Sequence, residues 1–380
     1  MAQIALQRTA EDGEKSFPEA ARIIKKDTYM DDICFLVSSK DKAVELTEQL
    51  DTVLAEGGFR VKGWSSNKVL KDGDSAEQKE ARLLEATHEE KVLGVVWNKE
   101  TDTLSYRVKS TKTVSHLTKR KILSRVAQIF DPLRYAAAFL VKAEIGMQRL
   151  WELGIDSDDE LPVEEESRWQ ALFDEMKCLN NVVLERCIAP SKAVQKPTLC
   201  VFSDASESAF GTCAYLRWQL DNGHFETRFV TAKSRVAPLK RLSVPRLELQ
   251  AAVMATRLRA TIEKELRLDM EKTIFFTDSM IALSWIRSQA RAFKPFVSAR
   301  VGEIQTNSNP LHWKHVPGPL NPADDISRGI SVDELEGRWK HGPEFVCLPE
   351  EQWPIESFQP DPVESDAEKL RFKQVLHVTE

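Results

Sequence analysis

The sequence predicts a mixed α/β (α+β) fold, built on a five-stranded mixed sheet with helices flanking its faces. Two observations predict it. Between residues 199 and 232 three strand-like apolar segments follow one another, and from 246 to 328 helical and strand-like patterns alternate. A run of neighbouring strands followed by helix–strand alternation gives a sheet that is antiparallel on one side and parallel on the other. In order, the elements are strands at 199–204, 210–217 and 225–232, a helix at 246–268, and a strand at 273–277. Helices at 279–289 and 294–307, a strand at 311–316 and a helix at 322–328 complete the sheet region. The long helix shows its period in Leu247, Ala251, Met254 and Leu258, with Glu248, Ala252 and Ala255 as an adjoining stripe.

Upstream, YMDDICFLVSS and KVLGVVWNKE read as strands, and KAVELTEQLDTVLAEGGF reads as a helix stopped by a Gly pair. Residues 112–153 read as helical and partly basic, broken at Pro132. The segment DSDDELPVEEE holds seven carboxylates in eleven residues and reads as a solvated linker before a helix at 165–187. Residues 331–380 are Pro-rich and acidic, and are expected to be poorly ordered beyond a Trp-anchored stretch near RWKHGPEFVCLPEEQWP. Four regions follow: 1–110, a helical region with the acidic linker at 111–195, the sheet domain at 196–330, and the tail at 331–380.

Bulk properties set limits. The 380 residues are 42% hydrophobic, enough for real cores, and the formal net charge of −6 confines any nucleic-acid contact to local patches. The cysteines at 34, 178, 187, 200, 213 and 347 form no CxxC pair, which fits a reducing compartment without disulfides or structural zinc. No signal-peptide core and no bilayer-length apolar run is present. The expectation is a soluble intracellular chain, cytoplasmic or nuclear, not secreted, with no membrane partner and no small-molecule cofactor.

Four carboxylates carry the chemistry. Asp204 ends one apolar run (TLCVFSDAS), Asp278 ends another (KTIFFTDSM), Glu248 lies in the long helix, and Asp324 opens the last helix after HVPGPLNPA. Each has a plain alternative: turn former for Asp204, helix cap for Asp278, flank residue for Glu248, N-terminal dipole partner for Asp324. Together they can converge on one sheet edge, and gathered oxygen ligands are what a pair of hard divalent cations requires. Two acid-free basic runs adjoin them. One carries Lys233, Arg235, Lys240, Arg241 and Arg246, and the other Arg287, Arg291, Lys294 and Arg300.

The stretches FSDASESAFG, AKSRVAPLKRLSVPRLELQAA, FFTDSMIALSWI and VPGPLNPADDISRG resemble the ribonuclease H region of Pol polyproteins from BEL/Pao-type LTR retrotransposons. YMDDICFL, KVLGVVWN, TKRKILSRVAQIFDPL and HGPEFVCLPEEQWP extend the resemblance over nearly the whole chain. The segment between polymerase and integrase in such elements bears the label Pao retrotransposon peptidase. The resemblance implies a ribonuclease H-like sheet domain and Mg²⁺- or Mn²⁺-dependent endonucleolytic hydrolysis of RNA in RNA–DNA hybrids. It implies two ions held by Asp204, Glu248, Asp278 and Asp324, one acting on the attacking water and one on the leaving 3′ oxygen. Asp325 falls where these elements often carry an apolar residue. The partner implied is a hybrid duplex, with other Pol segments, such as integrase or the missing polymerase half, as further candidates. The alternative is an inactive relic, or a host-recruited nucleic-acid-binding protein.

The resemblance also reads residues 1–110 as a truncated reverse transcriptase palm and 111–195 as thumb and connection. Tyr29, Met30, Asp31 and Asp32 match the polymerase YxDD turn, but only 28 residues precede it, so DNA synthesis is not expected. No Asp-Ser/Thr-Gly motif supports a peptidase. Two departures stand out. The loop before the last helix lacks the usual His, with His312 and His315 on the preceding strand read as structural, and Arg134 stands where the family usually has Gly.

Overall fold

The computed structural model describes residues 2–30, 32–68, 89–92, 94–109, 116–355 and 368–370. It folds as two compact units, Met1–Ser105 with Val183–Arg186, and Tyr106–Val182 with Cys187–Glu380.

In the first unit, α1 (Ala2–Gly13), α2 (Pro18–Lys26) and α3 (Lys40–Glu56) pack through Ala10, Ala20, Ile23, Leu46, Leu50 and Val53. Between α2 and α3, β1 (Thr28–Tyr29) and β2 (Asp32–Ile33) form a hairpin in which Tyr29 pairs with Asp32 and Met30 turns at φ 56°. Asp31 lies outside the described residues. The long strand expected over 29–39 is therefore two short ones with an irregular stretch beyond. The single strand expected at 91–100 is also two, β3 (Glu89–Val92) and β4 (Val95–Asn98), because Gly94 takes φ 83° and reverses the chain. β5 (Thr103–Ser105) and β6 (Val183–Glu185) complete a four-stranded sheet. Arg186 ties down its last turn by a two-pronged pair with Asp102, at 2.6 and 2.7 Å. β6 corrects the helix expected over 165–187: the β-branched Val182 and Val183 leave helical geometry and Val183 pairs with Ser105.

The second unit contains α4 (Lys119–Val126), α5 (Ala137–Glu152) and α6 (Val163–Met176), then β7 (Thr198–Ala205), β8 (Ala209–Gln219) and β9 (Phe225–Val236). α7 (Val244–Glu265), β10 (Lys272–Thr277), α8 (Met280–Arg287), α9 (Pro295–Asn307), β11 (Trp313–His315), α10 (Asp324–Arg328) and α11 (Arg338–His341) follow. The sheet order is β11-β10-β7-β8-β9, with β7–β8 and β8–β9 antiparallel and β10 parallel to both β7 and β11. The mixed five-stranded sheet expected from the sequence is thus present.

β7 is central, and all eight of its residues are buried because both faces are covered. One face packs Leu199, Val201 and Phe275 against Ala252, Leu283 and Val301 of α7, α8 and α9. The other carries aromatics: Phe202 stacks on Phe276 at 4.5 Å, and Tyr215, Phe229 and Trp339 continue the row. Residues beyond 330 supply much of that second cover. Trp339 is fully buried and donates to the Tyr135 carbonyl at 2.7 Å, and Arg217 donates to the Val346 and Leu348 carbonyls. The stretch 331–355 is therefore part of the core, as its spaced Trp and Phe residues allow. Nor is the acidic segment only a linker. Glu164, Glu165 and Glu166 form the first turn of α6, and Glu165 is 5% exposed between Arg149 and Arg168.

Arg134, in the turn before α5, takes φ 58°. This is the left-handed region, unfavourable by about 1–2 kcal/mol for a side-chain-bearing residue and open to Gly. Its ion pair with Glu144 is long, at 3.9 Å, and half-exposed. Arg134→Gly is accordingly expected to raise stability by about 0.5–1 kcal/mol in urea unfolding, and a loss of stability would contradict this account.

Candidate active site

Asp204 and the residue following Thr277 stand at the carboxyl ends of two adjacent parallel strands, β7 and β10, where α/β sheets gather functional groups. Asp204 pairs in register with Gly211 of β8. A Cβ at Gly211 would meet Ile326 Cγ2 at 2.6 Å and the Lys233 carbonyl at 2.9 Å, so glycine there lets α10 sit directly on the sheet. That approach brings the Ser327 hydroxyl to Asp204, to which it donates. Asn321, fully buried, ties the loop before α10 to the Ser203 carbonyl at 3.1 Å.

Glu248 lies on α7 beside the small residues Ala252 and Ala255, which let the helix approach β7 and β8 closely. It accepts from the Ser279 hydroxyl, and Ser279 in turn caps α8 by accepting from the Ala282 amide at 3.1 Å. Ser279, rather than Asp278, is thus the helix cap, which leaves Asp278 for another role. The buried His315 reaches the Asp278 carbonyl oxygen at 3.1 Å through Nε2, a structural contact on the edge strand.

Asp204, Glu248 and Asp278 interact as one cluster. Burial pushes Asp278 up to about 8, helped by the charges of Asp204 and Glu248. Burial likewise pushes Glu248 up to about 7, with Asp204 adding to the shift. Asp204 is also raised, by burial and then by Asp324. Asp278 shares a hydrogen bond with Asp204, while its own Oδ1 is buried without a partner. Asp324 joins the edge of this group, paired with Arg328 and, at 3.7 Å, with Arg338. Its neighbour Asp325 differs: it is 5% exposed and held by Arg338 Nη2 at 2.6 Å and Nε at 3.1 Å. The position is a core-facing one, and Arg338 makes an acid tolerable there.

These raised carboxyls fix the sign of a pH dependence. The folded state holds protons that the unfolded chain has lost above about pH 4, so stability falls as pH rises through the window to 7–8. In chelator, the thermal midpoint is expected to be higher at pH 5.5 than at pH 8, with the difference reduced in Asp278→Asn. A flat profile would show that the cluster does not titrate as described.

All donors in this set are hard oxygens, and Asp278 Oδ1 lacks any partner. The set therefore suits Mg²⁺ or Mn²⁺ in chemistry. Among the described residues no group of three or more His, Cys, Asp or Glu stands with metal-ligand geometry. The hydroxyls of Ser279 and Ser327 and the guanidinium of Arg328 engage the carboxylates instead.

Of the basic residues named from the sequence, Lys233 and Arg235 are exposed at alternate positions of β9, and Lys240, Arg241, Arg291 and Lys294 are exposed in or beside loops. Arg246 and Arg287 are engaged internally: Arg246 pairs with Glu368 at 2.8 Å, and Arg287 donates to the Trp313 carbonyl at 2.8 Å. Sequence reasoning missed Ser279, Asn321, Ser327, Arg328 and Arg338. Ser279 and Ser327 carried a readable signal, each lying within three residues of a chosen aspartate.

Residues 118–279 match the family model of the Pao retrotransposon-like RNaseH-like domain. This shows the resemblance over a stretch that includes Asp204, Glu248 and Asp278, and its description names a ribonuclease H-like domain rather than a peptidase. A foamy viral protease-reverse transcriptase (dRH) in complex with double-stranded DNA is similar at 15% identity and TM-score 0.44, covering 81% of this chain and 48% of its own. A second foamy viral protease-reverse transcriptase structure with double-stranded DNA gives 11% identity and TM-score 0.21, over 74% of this chain and 52% of its own. This chain thus spans about half the length of those foamy viral chains. The N-terminal RNase H domain of Rv2228c from Mycobacterium tuberculosis, fused to maltose-binding protein, gives 10% identity and TM-score 0.26, over 35% of this chain and 94% of its own. No curated protein shows significant similarity to the chain. Among the described residues no helix is long and apolar enough to cross a membrane.

Proposed function

We propose that this chain hydrolyses the RNA strand of RNA–DNA hybrids at a divalent-cation site held by Asp204, Glu248, Asp278 and Asp324. The observation that carries the reading is the convergence of Asp204 and Asp278, at the carboxyl ends of the adjacent parallel strands β7 and β10, with Glu248 of α7, which the Ser279 hydroxyl next to Asp278 ties to the same spot. Structural carboxylates are normally paired with cations, whereas these three are raised first by burial and then by neighbouring acids, and an oxygen of Asp278 is left unsatisfied. Bound Mg²⁺ or Mn²⁺, two ions by the family resemblance, would supply an activated water and a counter-charge for the leaving 3′ oxygen. The protein's part is to hold the carboxylates in place. Ser279 fixes Glu248 to the start of α8, Ser327 fixes Asp204 to α10, and His315 holds the backbone at Asp278. The exposed cations Lys233, Arg235, Lys240, Arg241, Arg291 and Lys294 supply a phosphate-binding surface, and hybrid selection rests on 2′-hydroxyl contacts and duplex shape.

One feature favours the second reading, a nucleic-acid-binding relic without turnover: Arg328 and Arg338 both engage Asp324. The Tyr29–Asp32 hairpin supports reading residues 1–110 as a reverse transcriptase palm segment. The function is tested on a panel of end-labelled hybrid, double-stranded RNA, double-stranded DNA and single-stranded RNA with Mn²⁺. Cutting is expected in the RNA strand of the hybrid alone. Cutting of the DNA strand, or equal cutting of double-stranded RNA, would overturn the hybrid assignment.

A further inference from the structure

Glu368–Leu370 lies as an extended segment along the chain between α8 and α9. The Lys294 amide donates to the Glu368 carbonyl at 2.9 Å, the Leu370 amide donates to the Ala292 carbonyl at 2.8 Å, and Phe293 and Lys369 form an antiparallel bridge. The Glu368 side chain reaches across to α7. Its Oε1 accepts from Arg246 Nε at 3.0 Å and Nη2 at 2.8 Å, in a pair whose glutamate is only 14% exposed. Arg246 also lies over the Phe296 ring, 4.9 Å from its centre, and Arg300 packs on the same ring at 3.5 Å. Arg246 and Glu248 lie within one turn of α7, and at this spacing they point to different sides of the helix. The Glu368 contact joins the two basic runs, one at Arg246 and the other at Lys294.

The Glu368 carboxylate, held on the Arg246 guanidinium, offers what a phosphate of a nucleic-acid backbone offers, an anionic oxygen. The backbone pairing supplies affinity and the Glu368–Arg246 pair supplies register, as in peptide addition to an exposed edge.

We propose that the face formed by Arg246, residues 292–294 and Phe296 is a docking edge for this chain's own segment Glu368–Leu370, which nucleic acid must displace to reach Arg246. The proposal rests on the nucleic-acid reading given above. If the docked form dominates the free protein, the apparent affinity for hybrid is lowered by the fraction undocked, and releasing the segment restores it.

The test uses the full chain and fluorescence anisotropy of a labelled RNA–DNA hybrid in EDTA, where binding is read without cleavage. Two variants release the segment in different ways: Glu368→Gln removes the ion pair, and Leu370→Pro removes an edge hydrogen bond without changing charge. Both are expected to tighten binding about three- to tenfold. The salt dependence is expected to steepen by about 0.9 in log–log slope, because Arg246 then neutralises one more phosphate. Glu351→Gln, the same charge change at an exposed position elsewhere, is expected to bind like the wild type. Unchanged or weaker binding in either release variant would overturn the proposal, as would equal tightening in Glu351→Gln. Cleavage by the wild type in Mg²⁺, scored separately, distinguishes the two readings. Tightening without cleavage keeps the docking edge and removes the nuclease, while cleavage without tightening does the reverse.

Discussion

Asp278→Asn is expected to lower hybrid cleavage by at least about a thousandfold while raising thermal stability in chelator. The rate loss follows from the role proposed for the carboxylate. A group that holds a catalytic cation stabilises the transition state by several kcal/mol, and each 1.36 kcal/mol is about tenfold in rate. The stability gain follows from the cluster. Asp278 is driven up to about 8 by burial and by Asp204 and Glu248, so at neutral pH it must take up a proton on folding, and a neutral isostere removes that cost. Hybrid binding is expected to be retained, since the exposed cations lie on other residues. Cleavage within tenfold of wild type would remove Asp278 from the site. A lower melting temperature would mean that its charge is satisfied in the fold after all.

The second large effect is expected at Arg338. Arg338→Met leaves Asp325 buried and unpaired, a situation unfavourable by about 3–5 kcal/mol for fully buried pairs. Because the arginine side chain is 35% exposed, the lower end, roughly 3 kcal/mol, is expected in urea unfolding. The same guanidinium donates to the Pro319 carbonyl at 2.6 Å and lies 3.7 Å from Asp324, so the start of α10 loses its brace as well. The double variant Asp325→Leu/Arg338→Met is expected to recover most of the stability, because an apolar residue suits that core-facing position. Asp324→Asn is expected to behave in the opposite way, with little change in stability and a large loss of cleavage. If Asp325→Asn abolished cleavage and Asp324→Asn did not, the fourth ligand would be the neighbouring residue.

The sheet domain was legible because its signals are local. β7, β8, β9 and β10 fall within a few residues of the apolar runs that announced them, and α7 follows the spacing of Leu247, Ala251, Met254 and Leu258. Elements set by distant partners were not legible. Val183–Glu185 looks like a helix end until β5 pairs with it, and Glu164–Glu166 looks like linker until Arg149 and Arg168 meet Glu165. The 331–355 stretch is Pro-rich by composition, yet Trp339 reaches the Tyr135 carbonyl across 204 residues and covers the aromatic face. The same division holds at the site. The four carboxylates could be chosen from their places at strand ends and helix positions. Their supports, Ser279 on Glu248, Ser327 on Asp204 and Arg338 on Asp325, depend on how α8, α10 and α11 pack. Arg246 and Arg287 looked like members of basic runs, but each makes a contact within the fold.

The central claim is that Asp204, Glu248, Asp278 and Asp324 form a working divalent-cation nuclease site. Its most direct test is cleavage of an RNA–DNA hybrid labelled on the RNA strand, with Mg²⁺ and then Mn²⁺, by the full chain beside Asp204→Asn/Asp278→Asn. The account predicts cation-dependent cutting of the RNA strand by the wild type, abolished by EDTA and absent from the variant, with both proteins folded and both binding hybrid. Folded wild-type protein that binds hybrid but leaves the RNA intact with either ion, or a variant that cuts as well as the wild type, would contradict it.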